Sequence, residues 1–323
     1  MRQLLYLSRA DVESVGLPPD ELVSLMEKLF RAKAAGEVEL PPKPGIHPRH
    51  DSFIHAMPAY ISSLDAAGLK WVSGYPGNTR RGLPYINGLF ILNDPDTGLP
   101  LAVMDATWIT AMRTAAVSAL AARLLAPSGP LTVAILGLGV QGRSHLQVLS
   151  GVLRIARFQV WDIRPPRIQA FVEDAARLAP GVAVVACSGP RQAVSGAHVV
   201  ITAGPILRQP QPVVEAEWLA EGVLLLPIDF DSMVTPAAMA ACSLALVDDV
   251  PQFAYYRTVG YFAKTPEPAG ELADVVSGRH PGRRSPAERI LSMNLGLAME
   301  DVGLGHELFH RAKGRGIGTW LPL

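Results

Sequence analysis

At 323 residues the chain is about twice the ~150-residue size of a typical domain, so two domains are expected. Hydrophobic residues at 49% and charged ones at 18% exclude global disorder, because such a composition buries enough apolar surface to offset the entropy of ordering the backbone. The 29 basic residues balance 29 acidic ones, and a net charge of 0 lacks the footprint of a nucleic-acid binder, so the expected partner is a small neutral or zwitterionic molecule.

The N-terminal stretch MRQLLYLSRADVESVG has no uninterrupted apolar core and no small-residue cleavage site, and nowhere do about 18 apolar residues run together, which predicts a cytoplasmic protein with no membrane partner. Leu22, Leu25, Met26, Leu29 and Phe30 recur at helical spacing after Pro18-Pro19, predicting an amphipathic helix that stops near Gly36. From Leu40 to Ala106 short apolar runs (FIHAM, GLKWV, GLFIL, LAVMDA) alternate with Pro, Gly and Asn-Asp-Pro punctuation, the pattern of a mostly antiparallel sheet.

The Ala- and Leu-rich segment Arg113–Ala126 predicts a long helix with Arg113 at its start, ended by Pro127-Ser128-Gly129-Pro130. After it the runs LTVAIL, RFQVW, VAVVAC, HVVITA, VLLLPI and LALVDD alternate with polar or helical stretches. Continuous apolar strands of this kind are covered by helices on both faces, which means a parallel α/β sheet. Two cysteines, Cys187 and Cys242, are too few for a disulfide framework and read as buried thiols. The last segment, PAERILSMNLGLAMEDVGLGHELFHRAKGRG, reads as helix and ends in the strand-like IGTWLPL. Dissimilar segments bracket the α/β block, so the C-terminal residues are expected to pack back on the first domain.

Gly137-Leu138-Gly139-Val140-Gln141-Gly142 satisfies G-x-G-x-x-G, follows the strand LTVAIL and opens a helical stretch. Gly137 permits the tight turn, Gly139 lets the backbone approach a pyrophosphate, and Gly142 lets the helix pack on the strand, while free N–H groups at the helix start face the anion. Val140 and Gln141 lie within the same turn. Asp162 closes the second strand, where a carboxylate accepts from the ribose hydroxyls and favours NAD; Arg164 could pair with a 2′-phosphate, which leaves NADP open. The alternative is a glycine-rich turn that binds nothing.

The stretch KWVSGYPGNTRRGLP, the hairpin NDPDTGLPLAVMDA, ITAMRTAA and GLGVQGRSHL together resemble the ornithine cyclodeaminase/mu-crystallin family across nearly the whole chain. The resemblance implies a Rossmann-type parallel-sheet domain at 113–297 and an α+β substrate-binding and dimerisation domain at 1–112, completed by about 298–323. It also implies a nicotinamide cofactor, a homodimer, and an amino acid, imine or keto acid as the small-molecule partner. Known activities of the family include cyclodeamination of ornithine, alanine dehydrogenation and reduction of cyclic imines, and some members chiefly bind a ligand.

Oxidising an α-amino acid needs a hydride acceptor over Cα, cations for the carboxylate and a group that exchanges a proton at nitrogen. Arg113 can clamp a carboxylate bidentately, or lie on the surface. Lys70, a cation in an apolar strand, points into a cleft or is solvated; by resemblance it binds the substrate carboxylate or relays a proton. Lys43 matches a position where the family often has a carboxylate-binding arginine, and is otherwise a solvated loop lysine. Asp229 follows VLLLPI at the carboxyl edge of the sheet, where ligands bind, and by resemblance faces the substrate amine. Its alternatives are a helix cap, or a role passed to Asp231, which shares its side of an extended segment in DFD. Thr202 and Asn294 fall where the family contacts the cofactor. His145 reads as structural, and no metal site is expected.

Two positions depart from the family. Where its cyclodeaminases carry a glutamate before Met-Pro, this chain has His55, which lacks a permanent negative charge for a terminal ammonium and disfavours ornithine or lysine. A purely structural histidine is the other reading. Where a cofactor-binding lysine is common, the chain has Met233. The leading expectation is an NAD(P)-dependent oxidoreductase acting on the α-carbon of a small amino acid or its imine. The alternatives are a cyclodeaminase that uses NAD catalytically and a non-enzymatic, crystallin-like binding protein.

Overall fold

The computed structural model describes residues 2–323, and they fall into two units, Met1–Arg113 with Gly296–Leu323, and Thr114–Leu295. In chain order the first elements are β1 (Gln3–Leu7), α1 (Arg9–Val15), α2 (Pro19–Ala34), β2 (Val38–Glu39), β3 (Gly45–Ile46), β4 (Phe53–Ile61), β5 (Ala66–Gly74), β6 (Ile86–Asn93), β7 (Pro100–Asp105) and α3 (Thr107–Leu125). There follow β8 (Leu131–Leu136), α4 (Val140–Val152), β9 (Ile155–Trp161), α5 (Pro165–Leu178), β10 (Ala183–Ala186), α6 (Pro190–Val194), β11 (Val199–Thr202), β12 (Leu224–Pro227) and α7 (Pro236–Ala240). The last are β13 (Leu244–Val247), α8 (Val250–Thr258), β14 (Gly270–Glu271), α9 (Leu272–Ser277), β15 (Ile290–Met293), α10 (Ala298–Arg315) and β16 (Thr319–Pro322).

In the first unit one sheet runs β16-β1-β7-β6-β5-β4-β2, with β3 also on β4; β4, β5, β6 and β7 pair antiparallel in succession, and β1 joins β7 in parallel. Burial alternates along β4, putting Phe53, His55, Met57, Ala59 and Ile61 on one face, as a period of two requires. Lys70 of β5 pairs with Met57 and Phe90 and is fully buried. Helix α10 packs on β4, β5 and β6, and α1 and α2 pack on α10. Trp71 and Leu89, on the other face of the sheet, stay 46% and 47% exposed.

The second unit is the expected all-parallel sheet, ordered β10-β9-β8-β11-β12-β15-β13-β14. Every residue of β8, β11, β12 and β15 is buried, because helices cover both faces. From β8 the chain moves outward through β9 to β10 and returns on the other side of β8 with β11. That reversal opens a crevice at the carboxyl ends of the strands.

The helix expected at Arg113–Ala126 begins six residues earlier, where Asp105 accepts the Thr107 N–H at 2.9 Å, so Arg113 stands in the second turn of α3 and not at its start. The run ILSM, read as helix, is strand β15, inserted between β12 and β13. Four residues, three of them apolar, carry no period that separates a buried strand from a buried helix, and the helical flank biased the reading. Both cysteines are buried free thiols. Among the described residues no helix is long and apolar enough to cross a membrane.

Candidate active site

The carboxyl edge of the parallel sheet gathers the sequence-predicted groups of the second unit. Gly137 follows β8 with φ of 100°, and its N–H donates to Trp161 O at 2.9 Å. A Cβ there would lie 2.5 Å from Ala203 O, so its own surroundings demand glycine. Gly139 differs: a Cβ would meet only Arg167 Nη1 at 3.9 Å. Nothing in the protein's packing requires glycine at that position, where a Cβ has room. Gly139 is also the N-cap of α4 and has no side chain to cap the first turn, Val140–Gln141–Gly142, whose backbone N–H groups point towards the helix start, the geometry of an anion cradle.

Asp162 follows β9 and is buried; Oδ2 accepts Leu138 N–H and Oδ1 accepts Arg164 N–H, both at 2.9 Å. The carboxylate thereby braces the glycine turn and keeps further lone pairs for hydroxyl donors. Two guanidinium groups flank it: Arg164 Nε at 3.6 Å and Arg167 Nη1 at 3.9 Å, half and one-third exposed. Beside them Ile163 is an apolar side chain left 79% exposed.

Asp229 lies two residues past β12 and is fully buried. Thr202 Oγ1 donates to its Oδ1 and Gly204 N–H to its Oδ2, each at 2.8 Å. Burial still dominates over these hydrogen bonds and pushes the carboxyl up to about 7. No helix cap is involved, since α7 starts at Pro236 and is capped by Thr235. The expectation that Asp229 and Asp231 share one side of an extended segment is overturned: Phe230 between them adopts φ of 63°, held by Tyr256, Tyr261 and Phe262, and breaks the strand period. Asp231 accepts Phe262 N–H at 3.0 Å, a structural task. Thr202 spends its hydroxyl on Asp229, whereas the buried Asn294 presents an amide Nδ2 with no hydrogen-bond partner. His145 is fully buried between Gln141 O and Ser118 Oγ, at 2.7 and 2.9 Å.

In the first unit Lys70 and Arg113 meet two carboxylates. Lys70 Nζ donates to Asp301 Oδ1 at 2.7 Å; Arg113 Nη1 donates to Glu300 Oε2 at 2.7 Å, and its Nε lies 3.4 Å from Asp301 Oδ1. All four side chains are at most 8% exposed. Burial lowers Lys70 to about 8, against the opposing pull of Asp301. Glu300 and Asp301 occupy the first turn of α10, where the helix dipole favours anions. Gly296 completes the group: its carbonyl accepts from buried Lys43 Nζ at 3.0 Å, and with φ of 83° it leaves room for the Arg113 guanidinium, which a Cβ would approach to 2.3 Å. His55 is buried, stacked on Phe53 at 4.3 Å, and held neutral at about 3 by burial and then by Lys43, His47 and Lys70. Among the described residues no three His, Cys, Asp or Glu gather to hold a metal ion.

The sequence profile of the ornithine cyclodeaminase/mu-crystallin family matches residues 3–316. The chain belongs to this family. The nodulation efficiency protein NfeD of Rhizobium meliloti is 39% identical over 322 residues, covering 97% of each chain. The Δ1-pyrroline-2-carboxylate reductase of Thermococcus litoralis, solved with NADH and L-proline, matches with a TM-score of 0.88 at 30% identity, over 98% of this chain and 99% of that one. An archaeal alanine dehydrogenase dimer with bound NAD matches with a TM-score of 0.87 at 29% identity over 100% of both chains.

For a member of the ornithine cyclodeaminase/mu-crystallin family, three residues of this geometry escaped sequence reasoning: Glu300, Asp301 and Arg167. The two acids are the only charges from Leu291 to Gly305, and carboxylates in so apolar a run need buried cations. Arg167 carried no such signal. Met233, which stands in place of the family's lysine, packs against Gly204 beside Asp229: a Cβ on that glycine would come 2.5 Å from its sulfur.

Proposed function

We propose that this chain is an NAD(P)-dependent oxidoreductase that interconverts a small α-amino acid and its imine, working in the cytoplasm as a homodimer. The observation that carries the reading is Asp229, a carboxylate poised near neutrality at the edge of a parallel sheet whose glycine turn leaves an open cradle at Gly139. The fit to a dinucleotide rests on that cradle, on the braced Asp162 and on the orphaned Asn294 amide, which suits a carbonyl acceptor. The turn Gly137–Gly142 would hold the pyrophosphate and Asp162 the ribose, with Arg164 and Arg167 within reach of a 2′-phosphate. When bound, the nicotinamide supplies the hydride exchange at Cα.

The chain's own residues do the rest. Lys70 and Arg113, with Lys43 near them, bind the α-carboxylate; Asp229 accepts a proton from the substrate nitrogen in oxidation and returns it in reduction. Ornithine-type cyclodeamination needs an anion for a second ammonium, and the family's glutamate position holds the neutral His55. For the homodimer, the half-exposed Trp71 and Leu89 on the open sheet face offer apolar surface that a second copy would cover. The test is a screen of amino acids, and of keto acids with amines, that follows NADH, NADPH and free ammonia together. Net coenzyme turnover is expected; ornithine giving proline and ammonia without accumulated NADH would replace this reading with the lyase.

A further inference from the structure

Two of the three cations assigned to the substrate carboxylate, Lys70 and Arg113, are already matched by carboxylates of their own, while the third, Lys43, donates to the Gly296 carbonyl. Lys70, Arg113, Glu300 and Asp301 form a buried cluster of two positive and two negative groups, with Glu300 Oε2 2.7 Å from Arg113 Nη1 and Asp301 Oδ1 2.7 Å from Lys70 Nζ. A substrate carboxylate that joins this cluster brings a third negative charge into a region shielded from water, where unbalanced charge is costly. We infer that Glu300 takes up a proton from solvent as the substrate carboxylate binds, releasing Arg113 to the substrate and keeping the buried cluster neutral. The inference rests on the reading of Lys70 and Arg113 as the carboxylate anchors. The balance is one anion plus one proton in, no net charge change, and no bond to carbon altered.

Glu300 is the member of the cluster built for this. Its Oε1 is buried with no hydrogen-bond partner, so a proton there disturbs no existing contact, and it shares Arg113 with the incoming anion. Burial, and then the neighbouring Asp301, push its carboxyl upward against the pull of Arg113. The groups that face Glu300 are Arg113 from α3, Asp301 from its own helix and Lys70 from β5; Lys43 and His55 stand next to Lys70. Strand β6 brings no ionisable side chain; on α1 and α2, Arg9 pairs with Glu13, Asp11 with Ser8, Arg31 with Glu27 and Glu21 with Arg311 at the far end of α10, while Asp20 and Lys28 are exposed and Lys33 is half-buried. Asp301 Oδ2 also lacks a partner, but Asp301 is tied to Lys70 and Arg113 at once and gives up more by accepting a proton.

The probe is pyrrole-2-carboxylate, whose ring nitrogen does not titrate near neutrality, bound to the full chain with saturating NADH. Calorimetry in two buffers of different ionisation enthalpy counts the protons that accompany binding. The wild type is expected to take up about one proton per anion near neutral pH, with Kd rising tenfold per pH unit on the alkaline side. Glu300→Gln, which imitates the protonated acid, should bind with similar affinity, take up almost none, and lose the slope. Binding by the wild type without proton uptake, which needs no variant to observe, overturns the inference. So does uptake that persists in Glu300→Gln, which would point to Lys70. If Arg113→Met binds the probe as well as wild type, or wild type binds none at any pH, the anchoring reading itself fails and the inference falls with it.

Discussion

Lys70 and Asp301 stand 231 positions apart in sequence and 2.7 Å apart in the buried heart of the first unit. The pair joins an inner strand of one sheet to the first turn of the helix laid across it, so the C-terminal segment supplies the counter-charge for a lysine buried in the N-terminal one. Asp301→Ala should destabilise the protein by about 3–5 kcal/mol, the typical cost of stranding a buried charge. Removing Asp301 removes what holds the lysine up, so Lys70 falls below its present value of about 8. A lysine depressed in the folded state costs stability in full while protonated, and that cost starts to fall as pH rises through its folded value, sooner in the variant than in the wild type. The loss in Asp301→Ala should therefore shrink between neutral pH and about 8, as urea titrations across that range will read. A pH-independent loss would mean the lysine is not what suffers.

Asp229 gives a prediction of the opposite sign. Its carboxyl is raised from 3.8 to about 7, so the folded state keeps a proton that the unfolded chain releases, and stability declines by about 1.4 kcal/mol per pH unit from pH 4 towards pH 7 before levelling off. Asp229→Asn should thus gain on wild type through that window and hold a constant lead above it, in thermal melts. Its turnover should fall by about a hundredfold or more. In the wild type, oxidation should weaken below about pH 7 and reduction above it. Near-wild-type turnover of Asp229→Asn would remove the aspartate from the chemistry.

The two glycines of the turn separate folding from binding. Gly137→Ala places a methyl group 2.5 Å from Ala203 O at a φ of 100° and should lower the melting temperature without any ligand present. Gly139→Ala meets only the tip of Arg167 and should melt like wild type, yet bind NADH at least tenfold more weakly by fluorescence titration. Equal NADH affinity in Gly139→Ala would leave the cradle without a tenant.

Much of this was legible in the sequence because the signals are local. The glycine turn, the acid at the end of β9 and the Asp229 edge position each follow from a strand and the few residues after it, and the parallel sheet follows from runs with no polar alternation. What escaped depends on pairing across the fold. Glu300 and Asp301 gain their meaning only when α10 lies on β5, and the four residues of β15 only when β12 and β13 flank them. Phe230 could not be foreseen in a left-handed conformation, since only its aromatic surroundings hold it there, and with it went the expectation that Asp231 stands beside Asp229.

Coenzyme choice turns on one small surface. Arg164 and Arg167 flank Asp162 at 3.6 and 3.9 Å, so on the proposed function an anion for a ribose diol and cations for a 2′-phosphate stand together. Arg164→Ala with Arg167→Ala should weaken NADPH about tenfold or more and leave NADH almost unchanged, measured as the ratio of the two kcat/KM values. Asp162→Ala should weaken NADH and shift preference towards NADPH, and it should also loosen the glycine turn, because the carboxylate accepts the Leu138 N–H. An unaltered ratio in the arginine double variant would assign both guanidinium groups to structure.

On the proposed function, His55 is the position at which substrate class is expected to move. It is buried in the face of β4 that packs under α10, stacked on Phe53, and neutral because burial and the nearby Lys43, His47 and Lys70 disfavour its charge. A neutral ring offers no compensation for the second ammonium of ornithine, which would enter a region already rich in cations. His55→Glu supplies that charge, and Lys43 and Lys70 would stabilise the new carboxylate as an anion. The variant should raise kcat/KM for ornithine relative to a monoamino acid of similar size by about tenfold, with the reverse change for the monoamino acid smaller. It should also change the products, with ammonia appearing in excess of net NADH as the retained coenzyme is recycled. If His55→Glu folds, binds coenzyme and shows no change in the ratio of the two substrates, the histidine is a packing residue and the specificity of the pocket is set elsewhere.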